Sequence, residues 1–131
     1  MTDYFRRFLM IGSLLAMFAV IIGAMGAHAL KHSLSAYELS IFKTAANYQM
    51  YHGMALILLS IASSHCLNPK LLKISAILFL FGICIFSGSL YIISLFGIKV
   101  LGMITPIGGV SFITAWFLFA LAFYKTRVRG K

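Results

Sequence analysis

Phe8–Ala27 reads FLMIGSLLAMFAVIIGAMGA, twenty residues without a charge. A helix needs about 20 such residues to cross the hydrocarbon of a bilayer. This run therefore predicts a transmembrane helix and sets the solvent for everything that follows. Met1–Arg7 precedes it as a short polar head with Arg6 and Arg7. A charged start, an apolar core and Ala27-His28-Ala29 together have the form of a secretory signal. Signal cores span only about 7–15 residues, so the run is expected to be retained as a helix. Gly12, Ala16, Ala19, Gly23 and Gly26 recur at steps of four and three. They lay small residues along one face, where helix backbones in lipid can approach closely. A packing seam is the expected use, a ligand crevice the sharper one.

Composition agrees with a lipid solvent. Of 131 residues, 62% are hydrophobic and 10% charged, against roughly 45–50% and about 25% in soluble domains. The mean hydropathy is +1.02. The length suits one domain, residues 1–131. No Gly-Lys-Ser/Thr phosphate loop occurs, which argues against an ATP-driven machine. The net charge of +9 sits at predicted helix ends. It points to membrane orientation and anionic lipid head groups rather than to nucleic acid. Cys66 and Cys84 fall at different predicted depths, so no disulfide is expected between them.

Downstream of the first span, His28–Leu34 turns the chain. Ser35-Ala-Tyr-Glu38 has the form of a capping box, with Leu34 and Leu39 placed as its hydrophobic staple. Tyr37–Gly53, YELSIFKTAANYQMYHG, then carries one of the two acids and several of the few polar groups near bilayer depth. Over 36–47 a helical projection sets Ser40, Lys43, Thr44 and Asn47 against Leu34, Tyr37, Ile41, Ala45 and Tyr48. That pattern predicts an interfacial amphipathic helix leading into a second span over 48–64. Asn68-Pro69 reads as cap and first residue of the next helix. A third span is expected over 71–96, with Ser75, Gly82 and Ser89 at seven-residue steps and Gly97 as its stop. Thr105-Pro106 opens a fourth over 106–124. The predicted fold is an all-α integral membrane protein, a four-helix up-down bundle.

Four spans place both termini on one side with the second loop. That side carries Arg6, Arg7, Lys70, Lys73, Lys125, Arg127, Arg129 and Lys131; the other carries Lys31, Lys43 and Lys99. The positive-inside rule then puts both termini in the cytoplasm, in a multi-pass protein of the inner, or plasma, membrane.

Polar side chains inside lipid are expensive and face partners or cavities. The candidates are His28, His32, Asn47, Gln49, His52, Ser87, Ser89 and Thr105. In an antiparallel hairpin of the first two helices, His28 and His52 are expected to approach each other. Zinc wants three or four ligands at recognised spacings; His28, His32, His52 and Glu38 reach the count without the spacing, so no metal or other cofactor is expected. A proton-responsive histidine stays open. No Gly-x-Ser-x-Gly elbow, triad or carboxylate pair is visible, and the chain is expected not to be an enzyme. Four-span multidrug exporters carry an acid inside a membrane helix, and none of these spans does.

Gly23-Ala-Met-Gly-Ala-His-Ala-Leu30, Phe42-Lys-Thr-Ala-Ala-Asn-Tyr-Gln49 with His52, Phe86-Ser-Gly-Ser-Leu-Tyr91 and Ile104-Thr-Pro-Ile-Gly-Gly109 occur in this order. Together they resemble domain-of-unknown-function family 423, the family of YgdD-like bacterial membrane proteins and transmembrane protein 256. The resemblance spans nearly the whole chain and implies a small four-helix membrane protein. It brings no activity and transfers no catalytic residue. The shared blocks suggest one polar cluster of His28, Asn47, Gln49, His52, Ser87, Ser89, Thr105, Gly108 and Gly109, lining a pocket toward the outer face and walled by small residues. The leading function is a non-enzymatic module that binds a lipid or small hydrophobic ligand, or packs on a membrane partner. The rival is a subunit of a homo-oligomeric channel or transporter with a His-lined path; a metal-dependent membrane enzyme is a weaker third. Small-residue stripes left facing lipid would favour oligomers, and stripes used within one bundle a self-contained module.

Overall fold

A computed structural model describes residues 1–66 and 68–124. The basic tail residues Lys125, Arg127, Arg129 and Lys131, which enter the orientation argument, lie outside the described residues. All regular structure among the described residues is helical. Four helices follow one another: α1 (Asp3–His28), α2 (Ala36–Ala62), α3 (Pro69–Phe96) and α4 (Thr105–Tyr124). Short 3-10 turns, Ser63–His65 and Lys99–Met103, serve the second and third connections.

Local chemistry explains the boundaries. At the start of α2, the Ser35 hydroxyl accepts from the Glu38 N–H at 3.2 Å, and the Glu38 carboxylate accepts from the Ser35 N–H at 2.8 Å. Two otherwise orphaned donors are thus satisfied reciprocally. Asn68 Oδ1 accepts from the Leu71 N–H, with Pro69 at the first helical position of α3. Gly97 ends α3 at φ +68°, a left-handed conformation that a side chain would strain.

The expected lead-in over 36–47 runs directly into the stretch expected as the second span. Residues 36–62 form one unbroken helix, about 40 Å long at 1.5 Å per residue. Its buried side keeps Ala45 of the expected apolar face but is rotated from the rest of it. Phe42, Ala45, Ala46 and Gln49 are buried, whereas Tyr37 and Tyr48 are exposed. The sequence projection followed the large apolar residues, but the neighbouring helices pack on Phe42 and the small alanines.

Helix α2 is the centre of the bundle. On one side it packs along α1, antiparallel, with Gly12 of α1 against Gly53. A Cβ added at Gly12 would lie 2.7 Å from the Gly53 carbonyl oxygen and 2.9 Å from Leu56 Cβ. On the other side it meets α3 and α4. Leu56, Leu59, Leu72, Ala76, Phe79 and Ala115 are fully enclosed there, with Phe5 of α1 closing the end. Helices α3 and α4 are themselves zipped antiparallel. The Ser75 hydroxyl donates to the Ala115 carbonyl and the Ser111 hydroxyl to the Leu78 carbonyl, each at 2.7 Å. Next along this seam come two interlocks, Gly82 under the ring of Phe112 and Gly108 under Phe86.

Midway along α3 lies a feature without a sequence signal. Ile83–Ser87 forms a π-helical turn, one residue wider than the α-helix around it. It presents Phe86 to Gly108 and turns Ser87 toward α2.

The outer surface is strongly apolar, with Met17, Phe18, Ile77, Ile113 and Phe117 all exposed. Among the described residues, three stretches are long and apolar enough to cross a membrane: Asp3–His28, Pro69–Phe96 and Lys99–Tyr124. Helix α2 is equally long but is not among them; its first half carries Glu38, Lys43, Asn47 and Gln49.

Candidate functional site

Gln49 bridges three helices from the core. Its amide nitrogen donates to the Leu15 carbonyl of α1 at 2.9 Å, and its amide oxygen accepts from the Tyr91 hydroxyl of α3 at 2.8 Å. Just beyond, the Ser87 hydroxyl of the π-helical turn donates to the Ala45 carbonyl at 2.8 Å. Ser89 and Thr105 pair through their hydroxyls at 2.6 Å, joining α3 to the start of α4. Every buried side-chain nitrogen and oxygen among the described residues has a hydrogen-bond partner. In hydrocarbon this matters, since an unsatisfied polar group has no water to turn to.

His52 belongs to a different environment. Its Nδ1 lies 2.7 Å from the Tyr48 carbonyl, which makes Nδ1 the protonated nitrogen of the neutral ring. The ring stacks flat on Phe112, with centroids 3.5 Å apart and planes within 3°. Phe79 and Trp116 complete its aromatic surroundings. His52 therefore faces α3 and α4, while its neighbour Gly53 faces α1.

That placement corrects the expected approach of the two histidines. His28 is exposed in the last turn of α1. His52 is level with Gly12, sixteen residues back along α1, so the two are separated by about 24 Å of helix. The glycine seam sets the register of the hairpin, and it puts the histidines at different heights. His32 is exposed in the turn after α1 and Asn47 on the outer side of α2. Neither joins the bridged groups. No three His, Cys, Asp or Glu side chains converge among the described residues. Cys66 and Cys84 are both free thiols.

The remaining predicted positions sort by packing. Gly12 and Gly26 are buried against α2, Ala19 is buried, and Ala16 lies against Gly53. A Cβ at Gly26 would meet the Phe42 ring at 2.9 Å, whereas one at Gly23 would meet nothing within 4 Å. Ser75, Gly82 and Gly108 belong to the α3–α4 seam. Gly109 only grazes the Phe86 ring, at 3.9 Å.

At the end of the bundle shared by the α1–α2 turn and the α3–α4 connection, two clefts open. The first, about 190 Å³, is lined by Ile22, Met25, Leu30, Phe42, Tyr91 and Leu95. Its walls are wholly apolar, because Tyr91 shows the cleft its ring and turns its hydroxyl inward to Gln49. The second, about 290 Å³, lies across α3 between Tyr37, Ile41, Phe86, Leu90 and Thr105. The expected pocket walled by small residues and lined by polar groups is thus replaced. Most of the small residues are engaged in helix contacts, Gln49, Ser87, Ser89 and Thr105 hold hydrogen-bond partners, and the first cleft is walled by large apolar side chains, while Thr105 and Gly102 also line the second. Tyr91 and Phe42 are the important residues that sequence reasoning passed over. Tyr91 stands four residues after Ser87, hence on the same helix face, which is the signal that could have found it.

The family described as "Protein of unknown function (DUF423)" matches residues 22–109. A UPF0382 membrane protein of Staphylococcus saprophyticus is 46% identical over 120 residues, covering 92% of this chain and 98% of its own. One from Staphylococcus haemolyticus is 42% identical over 92% of this chain and 97% of its own. The UPF0382 membrane protein YwdK of Bacillus subtilis is 36% identical over 92% of this chain and 98% of its own. No solved structure matches the chain significantly. With its helical bundle, its apolar exterior and these relatives, the chain belongs to the DUF423 family of membrane proteins.

Proposed function

We propose that this protein is a non-enzymatic membrane module that holds the apolar chain of a lipid or a small hydrophobic ligand in the cleft between α1, α2 and α3. One observation carries the reading: a cleft of about 190 Å³ walled only by apolar surface, with its single nearby polar pair, Gln49 and Tyr91, already satisfied. A cleft of this kind suits hydrocarbon and offers nothing to a polar substrate. The reading includes four spans, with α2 crossing through its apolar second half. Both termini would be cytoplasmic in the plasma membrane, and the clefts would open near the outer surface.

The alternative, a subunit of an oligomeric channel or transporter, draws on His52 as a polar group at depth. Two features weigh against it. The His52 ring is capped by Phe112. Most small residues of α1 and α3 are engaged within the chain, which leaves little of a seam for a second copy.

Leu95→Trp tests the cleft. Leu95 is a half-exposed wall residue, so the larger ring fills the space without entering the core. Native mass spectrometry of the protein released gently from membranes should show a lipid-sized adduct, reduced in the variant. A protein that carries no adduct, or a variant that carries as much, defeats the proposal.

A further inference from the structure

The cleft has a charged margin. Leu30, one of its walls, is fixed by the turn that ends α1: its N–H donates to the Met25 carbonyl, and its carbonyl accepts from the N–H groups of Ser33 and Leu34. Lys31 follows immediately and is exposed, with His28 and His32 exposed on either side. Among the described residues Lys31 has no acidic partner; the one ion pair is Asp3 with Arg6, at the other end of α1. Glu38 is the only acid at this end, and it is spent on the Ser35 cap, with Lys99 near it. The margin is therefore cationic and unneutralised, and it stands beside an apolar slot.

Selectivity must come from that margin. A chain moving from bilayer to cleft leaves one hydrocarbon surrounding for another, so hydrophobic transfer supplies little preference. The volume, about 190 Å³, holds roughly six groups of ~30 Å³. That is a segment of one chain and not a whole lipid. The rest of the molecule must lie outside, with its head near the turn.

Resting on the reading of the cleft given above, we propose that its occupant is an anionic phospholipid. One acyl chain enters between Phe42 and Leu95, and the phosphate sits against Lys31, with His28 and His32 offering ring N–H donors. One lysine near a membrane surface favours an anionic lipid by roughly fivefold. The preference should fall as salt screens it.

The full-length protein is placed in bilayers containing equal phosphatidylglycerol and phosphatidylcholine, released, and weighed with its bound lipid. Retention of phosphatidylglycerol over phosphatidylcholine by about fivefold or more is expected, with the preference lost in Lys31→Gln and kept in Lys43→Gln. Lys43 is also exposed and carries the same charge, so it controls for the diffuse field of this end. Both variants change exposed side chains, and helix content by circular dichroism checks that each is folded. Lipid retained without head-group preference overturns this inference and leaves the cleft reading standing. So does a preference that survives Lys31→Gln or falls equally in Lys43→Gln. No retained lipid, or retention unchanged by Leu95→Trp, overturns both.

Discussion

Gly108 and Gly109 are adjacent in the chain, yet only one of them should resist a methyl group. At Gly108 an added Cβ would lie 2.5 Å from the Phe86 backbone nitrogen, 2.7 Å from its Cβ and 2.9 Å from its Cα. Two of these atoms are backbone, so no rotamer relieves the clash. Helices α3 and α4 must part by about 1 Å to restore ordinary contact. Overpacking of this sort costs about 1–3 kcal/mol. Parting would also stretch the Ser75–Ala115 and Ser111–Leu78 bonds, each worth about 0.6 kcal/mol in a membrane interior. The gain in helix propensity from glycine to alanine, up to about 1 kcal/mol, offsets part of this. Gly108→Ala should therefore lose about 1–3 kcal/mol net. At Gly109 the new methyl would meet the Phe86 ring at 3.9 Å, which is ordinary contact. Gly109→Ala should then be neutral or stabilising by up to about 1 kcal/mol. Reversible unfolding in mixed micelles measures both. Trp116 is the sole tryptophan and sits edge-on to Phe79 at 5.0 Å, so its fluorescence reports the α3–α4 seam. Equal stability of the two variants would refute the argument that backbone contact at this crossing holds the helices together.

Three further predictions follow from other parts of the bundle. Tyr91→Phe and Gln49→Leu should each destabilise by about 0.5–2 kcal/mol, and the double variant should cost clearly less than the sum, because both remove one shared bond; additive losses in a double-mutant cycle would show that the bond carries no coupling. The Ser35 N–H, and next the Ser35 hydroxyl contact, hold the Glu38 carboxyl below its usual value. Its contribution to the start of α2 is thus complete above the ordinary carboxylate range and lost as pH falls through the lowered value. Amide exchange at Ser35 and Glu38, corrected for intrinsic rates, should rise over that window in the native chain and stay flat in Glu38→Gln, and equal profiles would exclude the carboxylate as the cap. For orientation, a cysteine at Ser33 should react with an impermeant maleimide added outside intact cells and one at Asp3 should not, in a background lacking Cys66 and Cys84; the reverse pattern would invert the proposed topology.

The parts legible in the sequence were those written in local chemistry. Ser35 and Glu38 announce their box at fixed spacing, Asn68-Pro69 its cap, and Gly97 its stop. Each needs only neighbours within a turn. What stayed hidden depends on pairs distant in the chain. The register of α1 on α2 is set by Gly12 meeting Gly53, and no local pattern says which glycine meets which. Fixing it wrongly brought His28 to His52 on paper. The buried side of α2 was misjudged for a related reason. Phe42 and Ala46, beside the expected Ala45, are less conspicuous than Tyr37, Ile41 and Tyr48, yet Phe42 has Gly26 to receive it. Gln49 was recognisable as an expensive polar group at depth. Its two partners were not, because one is a main-chain carbonyl and the other a tyrosine forty-two residues away.

The π-helical turn at Ile83–Ser87 fixes the rotational phase between the two halves of α3. Removing one residue there would restore a regular α-helix, and every later side chain of α3 would swing by about 100°. Ser89 would leave Thr105, Tyr91 would leave Gln49, and Leu95 would no longer wall the cleft, while the first half of α3 stayed zipped to α4. The extra residue thus works as a phase-setter: it lets one helix address α4 with its first half and α2 with its second. When homologous chains are aligned through this segment, a one-residue gap inside it would signal a different end to the bundle, and a gap in the connection after Gly97 would not.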